Sequence, residues 1–337
     1  MLDADVEVDR REFTVRVALQ VAPGERLALF GPSGAGKTTL LEVIAGLVPP
    51  RRGHIELGGR VLTSTAPPVR AVPPWQRRVG LLRQNPDLFP HLSVRDNLCY
   101  APSASPSAAE LSSLASLLGI EPLLAAMPAR LSGGQAHRVA LGRLLLAHCD
   151  TLLLDEPYTG LDASLRRTLT HLVASLVAER SVPAILVTHE LTDAQAFADR
   201  LAVLDRGAVL QVGAPDEIVL RPASRRVAEL VGYLGFVPSG QTVAGVHPER
   251  VIPGAFGDRG LVLTGTVTAC RPAGAGWEAD LSVGDAAVTC RLPDKPSASG
   301  GDIVVTVLDP PYFGSDGTVS SVPAKDGEAR PEQVRGL

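Results

Sequence analysis

The stretch FGPSGAGKTTL (residues 30–40) constrains the fold of this chain more than any other. Gly31, Pro32, Ser33, Gly34, Ala35, Gly36, Lys37, Thr38 and Thr39 satisfy G-x-x-x-x-G-K-[ST], a spacing that wraps backbone N–H groups around nucleoside phosphates. The flanks agree with that reading. ERLALF (residues 25–30) has the character of a short buried strand, and TTLLEVIAGL (residues 38–47) that of an apolar-periodic helix. A strand, a glycine-rich loop and a helix start aim the positive helix end at the bound anion. Lys37 is then expected to reach the β- and γ-phosphates, and the Thr38 hydroxyl to ligate Mg²⁺. Three of the 32 basic residues are lysines, and Lys37 is the only lysine before Lys295. A compact point charge stands in the loop where the chain otherwise uses arginine, whose planar fork does not fit the same space.

Composition narrows the rest. A length of 337 residues suggests two domains or three, and 45% hydrophobic residues suffice for a buried core. No apolar run approaches the roughly 20 residues a helix needs to cross a bilayer. The N-terminus MLDADVEVDRREF lacks the apolar centre of a signal peptide. Cys99, Cys149, Cys270 and Cys290 are scattered without C-x-x-C spacing, as expected of reduced cytosolic thiols. A net charge of −4 without a basic run argues against nucleic acid as the principal ligand.

Downstream, TLLLDEP (residues 151–157) is an apolar strand that ends in two carboxylates. Asp155 suits Mg²⁺, and Glu156, pointing differently, is placed to accept a proton from attacking water. A strand of this kind is expected to lie beside the phosphate-loop strand in a parallel sheet. Twenty residues before Asp155 comes LSGGQ (residues 131–135), whose Ser132, Gly133, Gly134 and Gln135 form a second small-residue loop ahead of a helix.

With LSGGQ the sequence resembles the ATP-binding-cassette (ABC) ATPases, a branch of the P-loop NTPases. In that family two cassettes pair head to tail, and LSGGQ of one covers the γ-phosphate held by the phosphate loop of the other. One cassette per chain implies pairing with a second copy. The other family landmarks follow in order. Gln84 in LLRQNPDLFPH matches the glutamine that contacts Mg²⁺ and the attacking water; TGLD (residues 159–162) brings Asp162 to the dimer interface; His189, closing AILVTH, matches the histidine that senses γ-phosphate. His137 stands in the signature helix where glutamine is frequent. No tyrosine marks an adenine platform near the N-terminus, and Phe13 either takes that role or belongs to the core. The helix-rich stretch of about 86–148 fits the helical subdomain, with LFPHLSV (residues 88–94) as a dock for a permease helix.

RPASRRVAELVGYLGF (residues 221–236) reads as a helix, and from Val237 onward short alternating apolar runs separated by Gly, Pro and Asp read as a small all-β, oligonucleotide-fold-like barrel. VAGVHPERV (residues 243–251) resembles the opening of the TOBE domain, with His247 where arginine is usual. From Val231 onward there are eight basic against twelve acidic residues, which does not suit nucleic acid. The expected organisation is an α/β ABC cassette over 1–235, the β domain over 236–323 and a disordered tail over 324–337. The resemblance implies a peripheral ATPase subunit at the cytoplasmic face of the membrane, hydrolysing Mg·ATP as a homodimer against permease subunits served by a substrate-binding protein. Within the family the chain looks most like the molybdate-importer ATPases; sulfate, ferric iron, polyamine and sugar importers use similar cassettes. A soluble ABC ATPase acting on ribosomes or DNA is the alternative of another class, although such relatives usually carry two cassettes or a long coiled-coil insertion. A small-molecule kinase would share the phosphate loop but has no use for LSGGQ.

Overall fold

The computed structural model describes residues 1–101, 106–296 and 300–320. By contact density the chain divides into a unit of Met1–Pro215 and one of Asp216–Leu337.

The first unit is organised on an eleven-stranded mixed sheet. Its strands are β1 (Leu2–Asp9), β2 (Thr14–Val21), β3 (Arg26–Phe30), β4 (Arg52–Leu57), β5 (Arg60–Ser64), β6 (Arg70–Ala71), β7 (Val79–Leu82), β8 (Thr151–Asp155), β9 (Ala184–Thr188), β10 (Arg200–Asp205) and β11 (Ala208–Gly213). They run in the order β6-β5-β4-β1-β2-β11-β10-β3-β9-β8-β7. β10, β3, β9, β8 and β7 are mutually parallel. All five residues of both β8 and β9 are buried, the near-continuous apolar character of a strand covered on both faces. β1 pairs antiparallel with β2 and β4, and its inward residues Leu2, Ala4, Val6 and Val8 alternate with polar ones.

Helices α1 (Lys37–Ala45), α2 (Val94–Leu98), α3 (Ala108–Leu117), α4 (Gly133–Leu146), α5 (Ala163–Arg180) and α6 (Leu191–Phe197) complete the unit. Leu40, Leu41, Val43 and Ile44 of α1 pack into one core with β1, β2 and β4, and α2 to α6 form another around Leu152, Leu154 and Leu186. Buried Arg77 joins α1 to its surroundings. Its guanidinium donates to the carbonyls of Val43 (3.2 Å), Ile44 (2.9 Å) and Val72 (2.7 Å) and to Thr63 Oγ1 (2.9 Å). A cation there meets the negative end of the helix dipole.

One neighbour relation differs from expectation. β8 does not lie beside β3, because β9 runs between them. β9 thus separates the strand that ends in the carboxylates from the phosphate-loop strand, and His189, just after β9, contacts Glu156.

The second unit contains α7 (Pro215–Leu220), α8 (Arg225–Leu230) and eight strands: β12 (Phe236–Ser239), β13 (Thr242–Gly245), β14 (Val251–Pro253), β15 (Gly260–Ala273), β16 (Gly276–Val283), β17 (Ala286–Leu292), β18 (Asp302–Leu308) and β19 (Tyr312–Phe313). These form a five-stranded sheet, β14-β18-β15-β16-β17, and a three-stranded ribbon, β12-β13-β19. Val267, Leu281, Val288, Val305 and Val307 fill its core. The unit begins about twenty residues before the expected boundary at 235, and its N-terminal helices explain why. Arg225 N–H donates to Gly317 O (2.8 Å), Ser224 bridges Thr318, and Tyr233 Oη donates to Val219 O (2.9 Å). The single helix suggested by residues 221–236 is also shorter: Ser224 caps α8 at its start, and Gly232 takes φ +102° after its end. His247 Nδ1 accepts from the N–H of Glu249 (3.3 Å), capping the turn Pro248–Arg250. The expected tail, 324–337, lies outside the described residues.

Candidate functional site

The phosphate loop leaves β3 at Phe30 and enters α1 at Lys37. Two glycines are required by contact. A Cβ on Gly31 would stand 2.0 Å from the carbonyl oxygen of Leu204 on β10, and one on Gly36, at φ +104°, would stand 2.7 Å from Val15 Cγ2. Lys37 is 6% exposed, and its Nζ donates to the carbonyls of Gly31 (2.8 Å) and Pro32 (2.9 Å), bracing the loop. Burial pushes its ammonium pKa down, opposed by the nearby carboxylates of Glu156 and Asp155. A partly desolvated cation in a ring of backbone dipoles is placed to meet an anion.

Asp155 closes β8 at 3% exposure and hydrogen-bonds the Thr38 hydroxyl. Burial raises its pKa, and the Thr38 bond works against that rise. A carboxylate and a hydroxyl in contact are hard oxygen donors of the kind Mg²⁺ takes with phosphates and water, so these residues fit that ion.

Glu156 adopts φ +49°, a left-handed conformation that costs a side-chain-bearing residue about 1–2 kcal/mol. That backbone turns its carboxylate away from Asp155 and into a cluster. Gln84 Nε2 donates to Glu156 Oε2 (3.0 Å), and His189 Nδ1 lies 3.0 Å from Oε1. The ionised carboxylate can only accept, so the imidazole carries its proton on Nδ1. Gln84, Glu156 and His189 come from segments far apart in sequence and meet in the fold through the two oxygens of Glu156.

A cavity of about 360 Å³ opens beside this cluster, lined by Arg10 and Phe13 from the β1–β2 turn, Ser33, Lys37 and Thr38 from the loop and helix, and Glu156. Phe13 stands where the core meets the cavity. Its ring packs on the core and against Gly36, and it also forms part of the cavity wall.

LSGGQ and Asp162 are arranged otherwise. Ser132 caps α4 in a reciprocal capping box: its Oγ accepts from Gln135 N (3.3 Å), and its N–H donates to Gln135 Oε1 (2.9 Å). Ser132 and Gly133 are exposed, and neither they, Gly134 nor Gln135 line the cavity. Asp162 caps α5, its Oδ1 accepting from the N–H of Ser164 and Leu165 at 3.0 Å each, which holds its pKa down. His137 is buried, its Nε2 3.0 Å from Pro157 O, so α4 is tied to the turn after Glu156.

Sequence reasoning missed Arg10. Its Nε and Nη2 donate to Thr39 Oγ1 at 2.8 and 2.5 Å, and the same group pairs with Glu42 at 3.6 Å. The only trace in the sequence is the RR pair in the turn DRREF.

Comparison with known proteins adds a lineage. The family model described as "ABC transporter" matches residues 15–159. The molybdenum import ATP-binding protein ModC of Mycobacterium tuberculosis is 42% identical over 236 residues, covering 67% of this chain and 63% of that protein. Fe(3+) ions import ATP-binding protein FbpC 2 of Rhodococcus jostii is 41% identical over 218 residues, covering 64% and 62%. ModC of Paramagnetospirillum magneticum is 38% identical over 304 residues, covering 88% of this chain and 81% of that one. The chain therefore spans less than two thirds of the first two relatives and most of the third. Among solved structures, an ATP-binding subunit of an ABC transporter aligns with TM-score 0.57 and 29% identity over 68% of this chain and 97% of its own. A dimeric ATP-binding cassette in a post-hydrolysis state, bound to ADP and Pi, aligns with TM-score 0.54 and 26% identity over 64% and 99%.

Proposed function

The chain belongs to the ABC transporter ATP-binding family, and on that premise we propose that it is the ATP-hydrolysing subunit of an importer. The observation that carries this reading is that Lys37, Thr38, Gln84 and Glu156 line one cavity, with Asp155 bonded to Thr38 and His189 to Glu156. Lys37 and the loop N–H groups bind the phosphates; Thr38, Asp155 and Gln84 would hold Mg²⁺, which would neutralise phosphate charge. Glu156 takes the proton of the attacking water, with Gln84 and His189 fixing the carboxylate and sensing the terminal phosphate.

Ser132, Gly133, Gly134 and Gln135 lie at an exposed helix start away from their own chain's cavity, which supports a role toward the nucleotide of a second copy. ATP then closes a head-to-tail homodimer, closure drives permease subunits docked near residues 88–94, and hydrolysis resets the pair. No helix among the described residues is long and apolar enough to cross a membrane, in keeping with a subunit that works from the cytoplasmic face against separate permeases. The second unit is a TOBE-like accessory domain.

Molybdate, delivered by a substrate-binding protein, is the cargo we favour. A ModC matches through 88% of this chain. Ferric iron is the second reading, because FbpC proteins match the cassette equally well. The cargo is tested by reconstituting the subunit with its permease and binding protein and measuring ATPase activity. Stimulation by molybdate or tungstate, dianions of nearly equal size, is expected. Stimulation by ferric iron with molybdate inert would overturn the cargo and leave the ATPase reading standing.

A further inference from the structure

The direction in which a nucleotide lies in the cavity follows from two adjacent threonines. Thr38 faces Asp155, beside the Gln84–Glu156–His189 cluster that defines the reacting end. Successive residues of a helix turn by about 100°, and Thr39 accordingly points elsewhere, to Arg10. The polyphosphate therefore runs from the carboxylates toward Arg10 and Phe13, with the nucleoside at their end.

The chemistry at Thr39 is specific. Arg10 Nε and Nη2 both donate to Thr39 Oγ1, at 2.8 and 2.5 Å. A hydroxyl has two acceptor lone pairs and one donor hydrogen. With both lone pairs engaged by arginine, its hydrogen must turn to a third group that accepts. Thr39 is only 8% exposed and lines the same cavity as Arg10 and Lys37, and a phosphate oxygen there completes the set. Arg10 is itself held in place. Glu42 Oε2 lies 3.6 Å from its Nη2, and the other oxygen of Glu42 is 3.1 Å from Arg83 Nη2.

We propose that Arg10 and Thr39 form a paired anion clamp for the phosphate nearest the nucleoside, with Arg10 supplying charge and orienting the Thr39 hydroxyl as a donor. The clamp rests on the ATP reading above and adds a ligand that the motif alone does not reveal. An arginine fork makes both bonds to one oxygen; a lysine supplies charge without that geometry.

The test is equilibrium binding of Mg·ATP and of inorganic tripolyphosphate to the full chain and its Arg10→Ala, Arg10→Lys and Thr39→Val variants. Loss of a charged contact raises Kd by about tenfold or more. Arg10→Ala should show that rise for both probes, because the clamp reads phosphate and not base. Arg10→Lys should recover only part of it. Thr39→Val should weaken both probes, and adding Arg10→Ala to it should cost less than the two single losses together. Unchanged Kd for both probes in Arg10→Ala would overturn the clamp. A loss confined to ATP would also overturn it, since the guanidinium would then serve the base. If the unmodified chain binds neither probe, the failure belongs to the ATP reading instead.

Discussion

At the smallest scale the proposed chemistry rests on Glu156, and its neighbours define what a substitution there does. Both carboxylate oxygens are engaged, one by Gln84 and one by His189, on a backbone held at φ +49° with its N–H donating to Val187 O (3.0 Å). Glutamine keeps the shape and one acceptor oxygen but cannot take a proton. Glu156→Gln is therefore expected to bind Mg·ATP as the unmodified chain does and to hydrolyse it roughly 10²–10⁴-fold more slowly, the usual contribution of a positioned base. Single-turnover hydrolysis beside a binding titration measures both; turnover within twofold of normal would remove Glu156 from the role. Its place just after a buried strand was legible in sequence, because an apolar run closing on Asp-Glu marks the end of β8. Arg10 was not, since an arginine in a hairpin turn looks solvated until folding brings Thr39 within 2.8 Å. Arg77 was hidden for the same reason: its four acceptors come from three segments that meet only in the folded unit.

At the scale of elements, the start of α4 has an observed role and a proposed one that a single substitution can separate. Ser132 stabilises its own helix through the capping box, and it is exposed; the proposed pairing gives it to the nucleotide of a second copy. Asp is as good a cap as Ser, whereas Ala costs about 1 kcal/mol of stability. Ser132→Asp should thus melt close to the unmodified protein and bind Mg·ATP to the single chain normally, yet lose turnover because a carboxylate faces the second copy's γ-phosphate. Ser132→Ala should melt lower. Equal loss of binding and turnover in Ser132→Asp would put the loop in its own chain's site. Element positions were read well where periodicity was strong: the helix expected from residue 38 is α1 from Lys37, and the strand before the carboxylates is β8. Strand neighbours were not, because apolar runs specify burial on both faces and not which parallel strand stands next. The segment 221–236 failed as one helix because its apolar residues are shared between α8 and β12, a division made by packing within the second unit.

For the whole molecule, the central claim is that the nucleotide site is completed by a second copy. Gln84 and Glu156 line the cavity and His189 bonds Glu156, while Ser132 and its loop neighbours are not part of that lining. Glu156→Gln isolates this claim, since a chain that cannot hydrolyse ATP should accumulate in the closed pair. Light scattering gives the mass of that variant, built on a 35.3 kDa chain, with and without saturating Mg·ATP. The mass should double on addition of Mg·ATP, and adding Ser132→Asp to the same chain should abolish the gain while nucleotide binding persists. A mass that does not respond to Mg·ATP under conditions of proven saturation, or a gain indifferent to Ser132→Asp, would contradict the composite site.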